Sequence, residues 1–251
     1  MHNGQPVRCS VLLAAYCGEA FLGEQLDSIL PQMGEADELL ISDDSPPGER
    51  ATGAIAEQYA AGDARVRILE GPRLGSTTKN VEFLLTQARG EILVLSDQDD
   101  VWLPGKLAAL CVALRGGALL AMHNATLVDG ELRSLGKTLF EEHNAKSGFL
   151  RNFIRNGYTG CCMALHRELL RDALPFPPRI PMHDQWLGLV AERRGRVAWI
   201  DTPLLLHRRH NAAQTLHGGS PAQRLRWRLR LVRAFGARRH AKEFGIEVQG
   251  F

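Results

Sequence analysis

Residues 96–100 read SDQDD, which places the three carboxylates of Asp97, Asp99 and Asp100 within four positions, directly after the apolar run EILVL (91–95). Two like charges about 4 Å apart repel by roughly 4 kcal/mol at an effective dielectric near 20. Open water, a helix N-terminus or a bound cation must offset that repulsion. Alternate residues of an extended loop share a face, so Asp97 and Asp99 fall on one side. Hard divalent cations take oxygen ligands, and Mg2+ often uses one or two carboxylates with phosphate oxygens. A polar loop in which Asp100 caps a following turn also accounts for the spacing. Three further clusters carry polar chemistry. Asp43-Asp44 precedes Pro46-Pro47 and fits an Asx turn. Asp184, in PMHDQW (181–186), stands where a helix starts and fits an N-cap. Arg208 and His210, in LLLHRRH (204–210), make a basic loop.

The elements that must hold these residues follow from periodicity. RCSVLLAA (8–15), DELLISD (37–43), RVRILE (65–70) and EILVLS (91–96) are short apolar runs of strand length. Between them lie amphipathic segments at 19–30, 49–61 and 77–88, and a fourth follows at 104–114. Pro31 ends the first of these, Ser76 or Thr77 can cap the third, and Pro104 opens the fourth. Strand–helix alternation of this kind predicts a parallel sheet covered on both faces. Ligands of such sheets gather beyond the carboxyl ends of the strands. The loops AAYCGEA, SDDSPPG and SDQDDVW all fall there, and two of the three are acidic.

The second half changes character. Residues 117–140 read as a strand, a turn at Asp129-Gly130 and a hairpin return. Residues 157–170 read as a strand running into a helix, 184–195 as a helix, and 196–210 as two short strands around Thr202-Pro203. Residues 129–156 and 175–183 read as loops that shape a second pocket.

With 251 residues, 45% of them hydrophobic, the chain can bury a full core. A net charge of +2 argues against a nucleic-acid binder. Five cysteines at no zinc-like spacing, two of them the adjacent Cys161 and Cys162, predict buried reduced thiols in a cytosolic protein. The N-terminus lacks the apolar core of a signal peptide, and no stretch is long enough to span a bilayer.

The segments SVLLAAYCGEAFLGEQLDSIL, LLISDDS, GSTTKNVEFLL and GEILVLSDQDDVWLPGKL, in that order, resemble the family 2 glycosyltransferases, inverting enzymes of the GT-A fold. Within that family the chain looks most similar to bacterial rhamnosyltransferase-like members that make cell-surface polysaccharide. The resemblance covers roughly residues 8–211, and several separate motifs agree. It implies an α/β fold of GT-A type: a Rossmann-like, mostly parallel sheet flanked by helices, with a mixed C-terminal half and a basic helical tail. The expected domains are a glycosyltransferase domain at 1–216, divided into a nucleotide-binding half (7–115) and an acceptor-binding half (116–216), and a tail at 217–251.

The resemblance also implies roles. Ala14, Ala15 and Tyr16, with Glu19, would meet the donor nucleotide. Asp43, with Asp44 beside it, would read a uracil or thymine base, whose N3–H a carboxylate can accept. Gly75 and Asn80 would lie near the nucleotide, although helix capping also explains that segment. Asp97 and Asp99 would bind a divalent cation, Mg2+ or Mn2+, and with Gln98 the donor diphosphate. Asp184 would be the general base. Thr159, Gly160 and His183 would line the acceptor side. Arg208 and His210 would stabilise the leaving diphosphate, with His210 a further candidate for the metal. His207 departs from the family's tyrosine at that position.

The expected partners are a uridine or thymidine diphosphate sugar, rhamnose being the first choice, and a saccharide or lipid-linked acceptor. Two rivals remain open. A sugar nucleotidyltransferase usually has a basic Gly-rich first loop, and AAYCGEA has no Lys or Arg. A non-catalytic sugar-nucleotide-binding module has no need of Asp97, Asp99 and Asp184 together. The tail SPAQRLRWRLRLVRAFGARRHAKEF (220–244) reads as a basic helix with Leu225, Leu229 and Val232 on one face and Arg226, Arg230 and Arg233 opposite. Such a helix can pack on the domain or lie on anionic lipid at the inner face of the membrane.

Overall fold

Apolar residues on both faces of a strand require cover on both sides. The first strand, β1 (Cys9–Ala15), is buried almost throughout and sits inside the sheet, with strands on both sides. The computed structural model of the chain describes residues 8–180, 182–209 and 220–243. β1 pairs in parallel with β2 (Glu38–Asp43) on one side and with β4 (Ile92–Asp97) on the other, and β2 pairs in parallel with β3 (Val66–Glu70). The strand order 3-2-1-4 reverses direction of travel between β1 and β4. Loops leaving those two strands therefore diverge and open a crevice at their carboxyl ends.

Helices α1 (Leu22–Ile29), α2 (Ala51–Gly62), α3 (Thr77–Gln87) and α4 (Lys106–Arg115) connect these strands or follow them. Each buries one stripe; in α1 it is Leu22, Gln25, Leu26 and Ile29. A fully buried leucine of this kind contributes about 1.5–3 kcal/mol. Ser76 caps α3, as its sequence predicts, by accepting from the Lys79 backbone N–H. Pro31 does not stop α1 abruptly but continues it into a 3-10 turn at Leu30–Gln32, where a missing N–H costs nothing.

Past α4 the same sheet continues with mixed direction. β6 (Leu120–Val128) and β7 (Ser134–Thr138) form the expected hairpin. β8 (Met163–His166) lies antiparallel between β4 and β6. The segment expected to run from strand to helix instead begins as a 3-10 turn, Gly160–Cys162, and its helix α7 (Leu170–Ala173) is a single turn. Residues 196–210, expected to form two strands, form one, β9 (Val197–Arg208), parallel to β6. Pro203 lies opposite Asn124 where the pairing slips, the kind of irregularity at which a strand tolerates proline. β5 (Val101–Trp102) is too short to leave a periodic signal and pairs with β9. Two short helices, α5 (Leu139–His143) and α6 (Phe149–Ile154), occupy a region expected to be loop. A capping box between Thr138 and Glu141 starts α5.

α8 (His183–Glu192) and α9 (Pro221–Glu243) complete the described elements. α9 is the expected helix, but it docks through a different face. Leu231 and Ala234 are buried and the Phe235 ring meets Trp186 tilted and Phe149 edge-on, whereas Leu225, Leu229 and Val232 are exposed. The cysteines are reduced as expected, and four of them are buried, but Cys17 is exposed. Among the described residues no helix is long and apolar enough to cross a membrane.

Candidate active site

One side chain joins the loops that leave β1 and β4. Gln98 accepts from the Tyr16 backbone N–H (2.7 Å) and donates to the Tyr16 carbonyl (2.9 Å). The first loop and the acid loop are thus clipped together, strand-fashion, by an amide. A Cβ on Gly18 would lie 2.0 Å from the Gln98 Oε1, so a larger residue there would push the amide away from Tyr16. Gly18 also donates to Thr52 Oγ1 (2.8 Å), and that hydroxyl donates to Glu19 (3.1 Å). Ala15 is buried at the strand end, while Tyr16 and Glu19 are exposed at the mouth.

Asp43 ends β2 half-buried. Its Oδ1 accepts from the Ser45 N–H (3.0 Å) and hydroxyl (2.5 Å), which is the Asx turn its sequence allows. Asp44 turns inward instead; it is buried and accepts from the Arg73 backbone N–H. Asn80 is also buried, bonded through both amide atoms to Ser42 (2.5 and 3.1 Å). Asp44 and Asn80 thereby fix the second loop and α3.

The three acids of SDQDD have different surroundings. Asp97 and Asp99 are half-buried and Asp100 is buried. Burial, reinforced by the charges of Asp100 and Asp99, pushes the Asp97 carboxyl up to about 7. Asp100 Oδ1 accepts from His207 Nδ1 (2.9 Å) and the Arg208 backbone N–H (3.1 Å). Burial opposes charge on both partners, but their attraction outweighs it: His207 is carried up to about 9 and Asp100 is held below the usual carboxylate range. Lys106, fully buried, donates to the Cys161 carbonyl (2.7 Å) and sits over the Trp102 ring at 4.2 Å.

Arg208 is 4% exposed. Its guanidinium donates to the carbonyls of Asp99 (2.9 Å) and Gly130 and to Glu24, and it covers the Phe21 ring at 4.7 Å. Arg208 thereby braces the acid loop, the hairpin and α1. His210, its expected companion, lies outside the described residues.

Ligand atoms of Asp100, Cys161 and His207 lie within 4.8 Å of one another. That N, O and S set suits a borderline ion. His207 is already paired with Asp100, so an ion there would have to displace that bond and the proton it uses. Asp97 and Asp99 are the better fit for a hard ion, because they crowd negative charge at the crevice and Asp97 lacks enough compensation to ionise at its usual pH. Asp100 Oδ2, buried without a hydrogen-bond partner, marks further unspent acceptor capacity beneath them.

A run of contacts leads from this loop to Asp184. Cys161 Sγ lies 3.7 Å from His207 Nδ1, and Gly160 precedes it. A Cβ on Gly160 would meet His183 Nε2 at 2.8 Å, so the chain approaches that imidazole as closely as a glycine allows. Thr159 is half-buried next to it. Burial holds His183 down to about 4, which leaves it neutral. Met182, not Asp184, is the N-cap of α8; Asp184 lies in the first turn. Its Oδ1 accepts from the Gln185 N–H (2.5 Å) and Asn156 (3.2 Å). Burial nevertheless raises it to about 6, those bonds offsetting only part of the effect.

Sequence reasoning missed Lys106 and the Asp100–His207 pair. Lys106 had a signal: it continues the stripe Leu110 and Leu114 at four-residue spacing, a position that must be buried. The pair had none, since its partners are 107 residues apart.

A mostly parallel sheet reversing at β1 and β4, with acids at the reversal and a mixed second half, defines a GT-A glycosyltransferase fold. The family model for glycosyl transferase family 2 matches residues 10–174, and the chain belongs to that family. An uncharacterized glycosyltransferase of Nostoc sp. is 22% identical over 68% of this chain, which spans 55% of that protein's length. Among solved structures, S. aureus TarS in complex with UDP-GlcNAc is similar with a TM-score of 0.70 at 18% identity, over 90% of this chain and 67% of that one. Glucosyl-3-phosphoglycerate synthase of Mycobacterium tuberculosis, in complex with Mn2+, UDP and phosphoglyceric acid, gives 0.56 at 22% identity, over 92% of this chain and 78% of that one.

Proposed function

We propose that this protein transfers a sugar, with inversion, from a uridine or thymidine diphosphate sugar to a hydroxyl of a saccharide or lipid-linked saccharide in cell-surface polysaccharide synthesis. Rhamnose from a thymidine diphosphate donor is the first choice, on the sequence resemblance. The supporting observation is the run of contacts from the acid loop through Gly160 and His183 to Asp184, a carboxyl raised to about 6. A general base works best with a pKa near the operating pH. Ionised Asp184 accepts the acceptor's hydroxyl proton while that oxygen attacks the anomeric carbon. The bond from that carbon to the diphosphate oxygen breaks on the opposite face, so one displacement inverts the centre. Asn156 and the Gln185 N–H hold the Asp184 carboxylate in aim. Neutral His183 lines the same side and can hydrogen-bond the acceptor. Tyr16 and Glu19 would meet the donor nucleotide, and Asp43 would read the base. Asp97 and Asp99 would hold a divalent cation, Mg2+ or Mn2+, which when bound neutralises charge on the departing diphosphate.

The S. aureus and M. tuberculosis structures hold UDP-GlcNAc, and Mn2+ with UDP, which supports a nucleotide-sugar donor and a cation here. The test is transfer from a panel of uridine and thymidine diphosphate sugars with Mn2+ or Mg2+, repeated with EDTA and with Asp184→Asn. Turnover that needs the metal and Asp184, giving the inverted anomer by NMR, is expected. Donor binding with no turnover in any combination would leave a binding module.

A further inference from the structure

We infer that the outer face of α9, together with the neighbouring tip of α6, is a docking surface for an anionic lipid bilayer. α9 has three sectors. Its docked sector is Leu231, Ala234 and Phe235, with Trp227 one turn earlier. On the side away from the domain, Leu225, Leu229 and Val232 are 55%, 48% and 56% exposed. At 100° per residue these three fall within one stripe about 60° wide. A surface helix is expected to turn its apolar stripe to the core. This helix has two stripes and turns one of them outward.

What covers that stripe is indicated by charge. Arg226, Arg230 and Arg233 line one border and Arg228 the other. Between Ser220 and Lys242 the chain has seven Arg and one Lys, and no Asp or Glu. A protein partner would have to be strongly acidic around an apolar centre; a bilayer with anionic headgroups has that arrangement everywhere. Arg228 donates to the Ile154 carbonyl (2.9 Å), so the stripe adjoins the end of α6. There Leu150 and Ile154, one turn apart, are 74% and 61% exposed beside the exposed Arg151 and Arg155. Apolar side chains would enter the headgroup–acyl boundary while the arginines meet lipid phosphates. Each such cation strengthens partition by roughly fivefold near an anionic leaflet. The docked sector fixes α9 on the domain, so the site would be held at the lipid surface at constant orientation. The inference does not depend on the transferase reading.

The experiment is co-sedimentation of the full chain, without donor, with vesicles of phosphatidylcholine alone or mixed two to one with phosphatidylglycerol. Strong binding to the mixed vesicles, weakened by salt, and little to pure phosphatidylcholine is expected. Leu225→Ser/Leu229→Ser/Val232→Ser, at exposed positions, should lose at least tenfold while keeping the wild-type Tm. Arg226→Glu/Arg233→Glu should lose more than that. Equal sedimentation with both vesicle types, absence of binding, or variants that bind as wild type would overturn the inference. A wild-type dimer that becomes monomeric in the serine variant, with no vesicle binding, would assign the stripe to a second copy instead.

Discussion

Replacing Asp184 by Asn separates the strain in the site from its chemistry. The Asp184 carboxyl lies near 3.8 in an open chain and at about 6 in the fold. At ~1.4 kcal/mol for each tenfold change, the ionised group is destabilised by about 3 kcal/mol. Asp184 is only half-buried, and water reduces that to about 1–2 kcal/mol. Asn keeps an acceptor oxygen for Asn156 and the Gln185 N–H, and at this half-buried position its two new N–H donors can reach water. Folded protein holds the Asp184 proton more tightly than unfolded chain. The wild type therefore loses stability through this group as pH rises from about 3.8 to about 6, and the loss is complete above that. Asp184→Asn should raise Tm by about 2–8 °C at pH 8 and by nothing near pH 4, read by differential scanning calorimetry. The same variant should lose transfer by roughly 10²–10⁴-fold. Wild-type kcat/KM should rise with pH through about 6 and then level off. A variant less stable than wild type at pH 8, or one transferring within tenfold of it, would refute the argument.

Gln98→Ala removes both bonds that clip the acid loop to Tyr16, and the donor's Kd by calorimetry should rise roughly tenfold, with Tm little changed. Gly160→Ala would set a methyl against His183 Nε2; acceptor KM should rise while donor hydrolysis by water persists, measured as released nucleotide diphosphate. His207→Gln leaves Asp100 a buried carboxylate without its ion pair, and urea unfolding should report a loss of about 3–5 kcal/mol.

The parallel strands were legible because each is a short apolar run bounded by turn residues, and the acid loop was legible because it follows the fourth run directly. Asp184 could be placed at a helix start by its context alone. What sequence does not carry is lateral adjacency. β9 lies beside β6, and only that placement puts His207 against Asp100 and Arg208 against the Asp99 carbonyl. Arg208, read from its motif as a cation toward the diphosphate, is for this reason an internal brace as well. In α9, periodicity identified the apolar stripe Leu225, Leu229 and Val232, but not that Leu231, Ala234 and Phe235 would compete for the domain and win. The winning set brings Phe235, whose ring meets both Trp186 and Phe149, a larger contact than leucine or valine offers.

The buried bond between His207 and Asp100 changes what the acid loop means to anything approaching from solvent. Of three neighbouring acids, one has been neutralised from within by an imidazolium that stays protonated to about pH 9. What remains at the surface of the loop is Asp97 and Asp99, both half-buried. Under the function proposed above, a cation held there would take its remaining oxygens from the donor, so that ion and nucleotide would arrive and leave together.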